Sequence, residues 1–351
     1  MSASSARVLF RQDQLPVFQN HMYDTAAAAR NCPKGDVVLV EDPRTGLIYN
    51  EAFRAELMNY DAHYQNEQGV SPLFRKHLEA VAGIVDRQLG RRSLVEVGCG
   101  KGLFLEKLQQ LGCDITGFDP TYEGTNPRVR QAYFEPGTGI TAKGLVLRHV
   151  LEHIADPVRF LMQLRDANGG SGRIYIEVPC FDWICSHRAW FDIFYEHVNY
   201  FRLSDFQRMF GRVLESGRLF GDQYLYVVAE LGSLHSPVID PQDRAEMPAD
   251  FATMALAVDA TTHAALWGGA SKGVIFALLR ERAGHPVSVV IDINPAKQGK
   301  YLPGTGLLVQ SPEAAMRTLP RRAAIYVMNS NYLEEIRKLS GDEYTYIVVD
   351  R

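Results

Sequence analysis

At 351 residues, with 46% hydrophobic and 22% charged side chains and a formal net charge of −4, the chain is long enough for two or three domains of roughly 100–200 residues, each with its own core. That slightly acidic balance gives no electrostatic basis for holding nucleic acid or an anionic membrane. No apolar run approaches the roughly 20 residues of a membrane helix, and the stretch around Arg7 and Arg11 lacks the apolar centre of a signal peptide. The five cysteines contain no C-x-x-C pair and are too sparse for a disulfide framework, so a reducing, cytoplasmic setting is expected.

Residues 1–62 read as a small β-rich cap, with Asp36–Val40 as a strand, Asp42–Gly46 as a turn and Leu47–Tyr49 as the hairpin partner. Ser71-Pro72 carries the side chains favoured at a helix start, and Leu73, Phe74, Leu78, Val81, Ile84, Val85 and Leu89 follow at helical spacing. From residue 93 the pattern alternates. Strands are predicted near 94–97, 114–118, 144–148, 173–178 and 224–230, with helices at 102–111, 156–166 and 204–215. Such alternation predicts a doubly wound parallel sheet within 63–236.

Pro237–Glu246 reads as a boundary, followed by a helix at about 247–260 and a second α/β unit completing 237–351. There a strand runs into Trp267-Gly-Gly-Ala-Ser-Lys272-Gly273, a helix continues to Arg282, and Val287–Asp292 forms the next strand. Strands near Ala324–Met328 and Tyr344–Val349 and helices at 312–318 and 332–339 complete it. The predicted architecture is α/β: a Rossmann-like doubly wound sheet, a small N-terminal cap and a smaller C-terminal Rossmann-like domain. The turn Gly268–Gly273 fits neither a P-loop nor a dinucleotide fingerprint well.

The most informative segment is Leu94-Val-Glu96-Val-Gly98-Cys99-Gly100-Lys-Gly102, followed by Gly117-Phe-Asp119-Pro120. Three glycines permit a tight turn and close approach of a ligand to the backbone, and the helix behind them offers unpaired N–H groups. Asp119, about 20 residues on at the tip of the next strand, is placed to accept hydrogen bonds from ribose hydroxyls. A pyrophosphate needs G-x-G-x-x-G, a spacing this loop lacks. On the glycines alone an NAD-type or cofactor-free domain stays open. An acid two residues before a G-x-G turn resembles motif I of the class I S-adenosylmethionine methyltransferases. That resemblance implies S-adenosyl-L-methionine as cofactor and S-adenosyl-L-homocysteine as product, with Glu96, Gly98, Cys99, Gly100, Gly102, Asp119 and Pro120 around it.

A base belongs at the carboxyl edge of such a sheet, and the aromatic run Trp190–Phe201, after the strand ending Glu177-Val-Pro179, holds Glu196 and His197. A histidine with a pKa near 6.5 suits proton abstraction at neutral pH and is worth roughly 10²–10⁴ in rate. The alternative is a hydrophobic lid, with His197 satisfied by a carbonyl and Glu196 capping a turn. His149-Val-Leu-Glu152-His153 matches the zinc-protease pattern H-x-x-E-H, with helical spacing that would put both histidines on one face. It directly follows the strand Gly144–Arg148, where Arg148 and His149 are expected to touch cofactor and His153 to face the cleft. Lys272, Lys297, Lys300 and Tyr301 suit a substrate phosphate or uracil-type ring, or are solvated loop residues.

Tyr195-Glu196-His197-Val-Asn199-Tyr200-Phe201, together with Asp292–Thr305, resembles the nucleotide-sugar C-methyltransferases over most of the chain. The resemblance implies an N-terminal zinc module, a central methyltransferase sheet, a C-terminal Rossmann-like domain, and methylation of the carbon beside a keto group once a base has formed the enolate. It makes His197 that base, with Glu196, Tyr195 and His153 as polar companions, and Tyr64 a tyrosine closing over the cofactor.

Two features depart from the family. Its zinc cysteine pairs are missing: Cys32 and His21 fall short of four ligands, and no metal is expected. Phe194-Tyr195-Glu196-His197 stands where the family carries Tyr-Asp-Glu-His, moving the tyrosine hydroxyl by one residue. The expected acceptor is a small molecule, a nucleotide sugar by resemblance, with O- or N-methylation of a small metabolite or natural-product intermediate as the alternative. The protein is expected to be a monomer or homodimer.

Overall fold

The computed structural model describes residues 6–58, 69–251, 253 and 264–350. Three sheets organise them. The cap sheet is antiparallel, in the order β1 (Arg7–Pro16), β2 (Lys34–Glu41), β3 (Ile48–Asn50) and β9 (Asn199–Tyr200). The β2–β3 hairpin is the one predicted. β1 escaped detection because bulges between Val8 and Phe10 and between Gln12 and Leu15 break its alternation. β9 belongs to the Glu196–His197 segment, so the cap extends beyond residue 62 by recruiting a distant strand.

The central sheet has seven strands in the order β10 (Val213–Leu219), β11 (Tyr224–Glu230), β8 (Arg173–Pro179), β7 (Gly144–Arg148), β4 (Leu94–Val97), β5 (Ile115–Phe118), β6 (Val129–Arg130). β6, β5, β4, β7 and β8 are parallel. The expectation of a wholly parallel sheet fails at one edge, where β11 pairs antiparallel with both β8 and β10. The helix expected at 204–215 stops at Met209, and Val213–Leu219 is strand. Its apolar residues were ambiguous in period, and the tight reversal at Phe220-Gly221-Asp222, all at positive φ, fixes them as one arm of a hairpin.

The third sheet is wholly parallel, in the order β14 (Val309–Gln310), β13 (Val289–Ile291), β12 (Ala265–Trp267), β15 (Ala324–Val327), β16 (Thr345–Val348). Strand order around β12 repeats the order around β4. The helix expected at 247–260 lies largely outside the described residues. The Pro237–Glu246 segment straps the cap to the central unit: the buried Glu41 carboxylate accepts from the Ala245 N–H at 2.8 Å and pairs with Arg244, while Asp243 pairs with Arg202 at 3.0 Å and Arg208 at 2.7 Å.

Tyr195 ties the aromatic run to the cap. Its hydroxyl accepts from the Arg54 N–H at 2.8 Å, its ring lies 5.5 Å from that of Phe53, and a Cβ on Gly35 would run into it. The expected polar role for Tyr195 in the cleft is therefore corrected: the side chain is fully buried on the cap side. Tyr195→Phe should cost about 1–2 kcal/mol, because it leaves the Arg54 amide without its acceptor. Urea unfolding of the variant measures that loss, and an unchanged midpoint would contradict the assignment.

Candidate active site

Behind β4 the chain turns through Gly98 (φ 71°), Gly100 (φ 53°) and Gly102 (φ 83°) into the helix Leu103–Gln110. The Gly98 N–H donates to the Phe118 carbonyl at 2.8 Å, and a Cβ there would collide with Val150. The glycine turn is thereby packed against the segment that follows β7. At Gly100, by contrast, a Cβ would meet nothing within 4 Å. Asp119 closes the loop: one carboxylate oxygen accepts the Gly100 N–H at 2.8 Å, the other the Thr121 N–H at 2.9 Å and hydroxyl at 2.8 Å. Glu96 is buried, and one of its oxygens has no protein partner. Burial pushes its carboxyl up to about 8, Arg148 opposing and Asp119 adding to the shift. An open glycine cradle, an acid at the next strand tip and an orphaned buried carboxyl fit a nucleoside carrying a cationic group.

Other expected cofactor contacts are less direct. Cys99 is buried, its thiol pushed up by burial and lodged against Gly117, so it serves packing. Pro120 follows Asp119 exposed. Tyr64 lies outside the described residues. The Arg148 guanidinium pairs with Glu177 at 3.0 Å and lies 4.7 Å from the Phe104 ring centre, while its Nε has no partner in the protein.

Glu177, at the carboxyl end of β8 and fully buried, is the hub of the site. One oxygen meets His77 Nε2, Arg148 and His149 Nε2, each at 3.0 Å, and the other accepts the Tyr175 hydroxyl at 2.7 Å. Burial alone would raise its pKa, but Arg148 and the hydrogen bonds of His149 and His77 hold the carboxyl well below its usual range. His149 stands at φ 50°, in the left-handed region, and the following residues make only a short turn at Leu151–His153. The H-x-x-E-H run is thus not helical, which removes the geometry of the protease pattern. Burial pulls the His149 pKa down, yet hydrogen bonds to Glu152 at 3.3 Å and Glu177 raise it to about 9.

The cleft beyond this hub is lined by His149, Glu152, His153, Phe194, Glu196 and His197 from the central unit, and faces Gly268, Lys272, Asp292 and Lys297 at the carboxyl edge of the third sheet. The His153 Nδ1 N–H donates to the Glu196 carbonyl at 2.8 Å, and its ring meets His197 edge to face at 4.9 Å. His197 also lies 4.0 Å from the Phe194 ring centre. Burial, reinforced by His153, His149 and Lys272, drives the His197 pKa well below its usual value, so the ring is neutral at physiological pH. A Glu196 carboxylate oxygen accepts the Gln19 N–H at 3.0 Å, another tie to the cap. Lys272 pairs with Asp192 at 3.0 Å, and Lys297 is buried 3.4 Å from Asn20 and 4.0 Å from Asp292. Tyr301 is corrected: it is not among the residues lining this cleft, and its backbone pairs with Tyr23 of the cap.

Sequence reasoning passed over Glu177 and gave Glu152 no role outside the protease pattern. The signal for Glu177 was present, an acid inside the otherwise apolar run Ile174-Tyr-Ile-Glu-Val178. Nothing local announced Glu152, whose placement depends on the turn at His149.

Residues 58–213 match the family described as a methyltransferase domain. This segment, which holds the glycine turn and the five parallel strands of the central sheet, is similar to methyltransferase domains. The cradle at Glu96, Gly98–Gly102 and Asp119 fits S-adenosylmethionine. Ubiquinone biosynthesis O-methyltransferases are similar over short stretches. That of Methylobacterium nodulans is 41% identical over 17% of this chain and 24% of the relative; that of Ruegeria pomeroyi is 34% identical over 24% and 43%. The chain thus spans less than half the length of these curated relatives. Among solved structures, the N-methyltransferase NodS of Bradyrhizobium japonicum aligns with 46% of this chain and 97% of its own, at 15% identity and a TM-score of 0.33. The 1,6-didemethyltoxoflavin N1-methyltransferase of Burkholderia thailandensis aligns with 52% and 95%, at 14% and 0.34. Among the described residues of the methyltransferase domain and its flanks, no helix is long and apolar enough to cross a membrane.

Replacing the hub carboxylate should be severe. Glu177→Gln should cost about 3–5 kcal/mol by leaving Arg148 without its ion-pair partner and His149 with Glu152 as its remaining carboxylate. It should also flatten the alkaline limb of the pH–stability curve. In the parent protein the contribution of protonated His149 is complete below its ordinary value of 6.5 and is lost as pH rises through about 9. Thermal unfolding from pH 6 to 10 checks both, and equal alkaline slopes for parent and variant would contradict the assignment.

Proposed function

We propose that the chain transfers a methyl group from S-adenosylmethionine to a small molecule in this cleft, and that the acceptor is a keto-sugar nucleotide methylated on the carbon beside its ketone. The observation that carries this reading is a buried, neutral His197 facing the same cleft onto which the third sheet opens its own glycine turn. In that turn the Gly269 N–H donates to Asp292 at 2.8 Å, the same relation as between Gly100 and Asp119, and Asp292 also accepts the Asn294 N–H at 2.8 Å. Asp292 is suited to ribose hydroxyls and Lys297 to a phosphate oxygen. Lys272 contributes less charge because Asp192 neutralises it.

When bound, the cofactor supplies an electrophilic methyl carbon on a sulfonium. The protein's part is to position the acceptor and remove a proton. His197 takes the proton from the carbon next to the ketone, the electron pair passes to the carbonyl oxygen as an enolate, and the methyl replaces that proton. His153 cannot compete freely as base at Nδ1, which its bond to the Glu196 carbonyl occupies. Glu196 and Gln19 tie the His197 segment to the cap, which fixes the ring against Phe194. A second reading, O-methylation with His197 deprotonating a hydroxyl, is supported by the relatives named as O-methyltransferases.

His197→Ala should lower turnover roughly 10²–10⁴-fold while binding of S-adenosylhomocysteine is retained. Incubation of the parent protein with keto-sugar nucleotides in deuterium oxide, without cofactor, should wash deuterium into the α-carbon, and the variant should not. Methyl transfer without exchange would favour the hydroxyl acceptor; unchanged turnover in the variant would remove His197 from the chemistry.

A further inference from the structure

We infer that Glu152, His153 and His197 form a binding site for a divalent transition-metal ion, open on its free side to the acceptor cleft. One ligand atom from each lies within 4.8 Å of the other two. Glu152 is 1% exposed, and its Oε2 has no partner in the protein. A buried carboxylate oxygen left bare is costly, and Oε2 calls for a partner of its own. Its other oxygen is held by His149 Nδ1 at 3.3 Å, and His149 is held in turn by Glu177. The carboxylate is therefore oriented from behind.

His153 is set up in the same way. Because its Nδ1 N–H donates to the Glu196 carbonyl at 2.8 Å, the lone pair resides on Nε2, the arrangement by which metal-binding histidines are held. His197 stands edge to face with it at 4.9 Å. Two imidazoles and one carboxylate suit zinc, cobalt(II) or iron(II), and three protein ligands leave coordination positions facing the cleft. Tetrahedral bonds of roughly 2.1 Å put ligand atoms about 3.4 Å apart, so ion binding draws the three side chains together.

The site does not need the methyl-transfer reading, but it bears on it. An ion on His197 uses the lone pair assigned above to the proton, so the two states exclude each other. Metal-free protein is then the form competent for proton transfer, and the ion inhibits it.

The test is a cobalt(II) titration of tag-free, chelator-stripped full-length protein, followed by visible absorption. One equivalent per chain with the intense bands of low-coordinate cobalt is expected. Glu152→Gln and His153→Ala, shown to be folded by circular dichroism, should each weaken binding by at least about 10–100-fold. No bands at one equivalent, or the same titration in both variants, would overturn the site and leave the methyl-transfer reading untouched. Turnover of the same preparations should fall as cobalt is added and return with chelator. Turnover that rises with cobalt would overturn the inhibitory role and remove His197 as base.

Discussion

One buried carboxylate sets the geometry of the whole centre. Glu177 gathers His77 from the helix Pro72–Leu89, Arg148 and His149 from the end of β7, and Tyr175 from its own strand, all around a group with no solvent exposure. Removing a charge from water costs several kcal/mol unless partners replace the solvent, so these four donors and the carboxylate fix one another. The consequence is felt at His149, whose left-handed backbone turns the chain so that Glu152 and His153 meet His197 instead of continuing as a helix.

His197 comes from a segment that the cap holds in place. β9 completes the cap sheet, Tyr195 anchors in the cap backbone, and the Gln19 amide holds Glu196. The third sheet supplies the opposite wall, its parallel order and glycine turn repeating those of the central sheet. The three sheets therefore converge on one cleft. The polar groups there come from positions as far apart as Asn20 and Lys297, which meet at 3.4 Å.

Much of this was legible in the chain. The β2–β3 hairpin, the five strands read in the central sheet and the strand–turn–helix of the third unit follow from periodicity and turn residues, and Glu96, Gly98, Gly100 and Asp119 converge as their spacing implies. What stayed hidden depends on tertiary pairing. β1 is bulged, β9 has two residues, and β10 reads equally well as helix until its hairpin partner is known. Tyr195 and Tyr301 lie away from the cleft for a related reason: residue type announces a polar group, whereas its direction is set by distant partners such as Arg54 and Tyr23. Glu152 shows the converse, a residue in a misleading motif whose placement gains meaning only with the turn at His149.

The central claim is that the glycine cradle after β4 and the His153–His197 cleft are two halves of one reaction centre. A crystal structure with S-adenosylhomocysteine bound tests it most directly. The account predicts the ribose hydroxyls on Asp119 and the thioether sulfur turned toward His197. A nucleoside seated on Asp292 with the Gly98–Gly102 cradle empty, or a sulfur pointing away from the cleft, would contradict it.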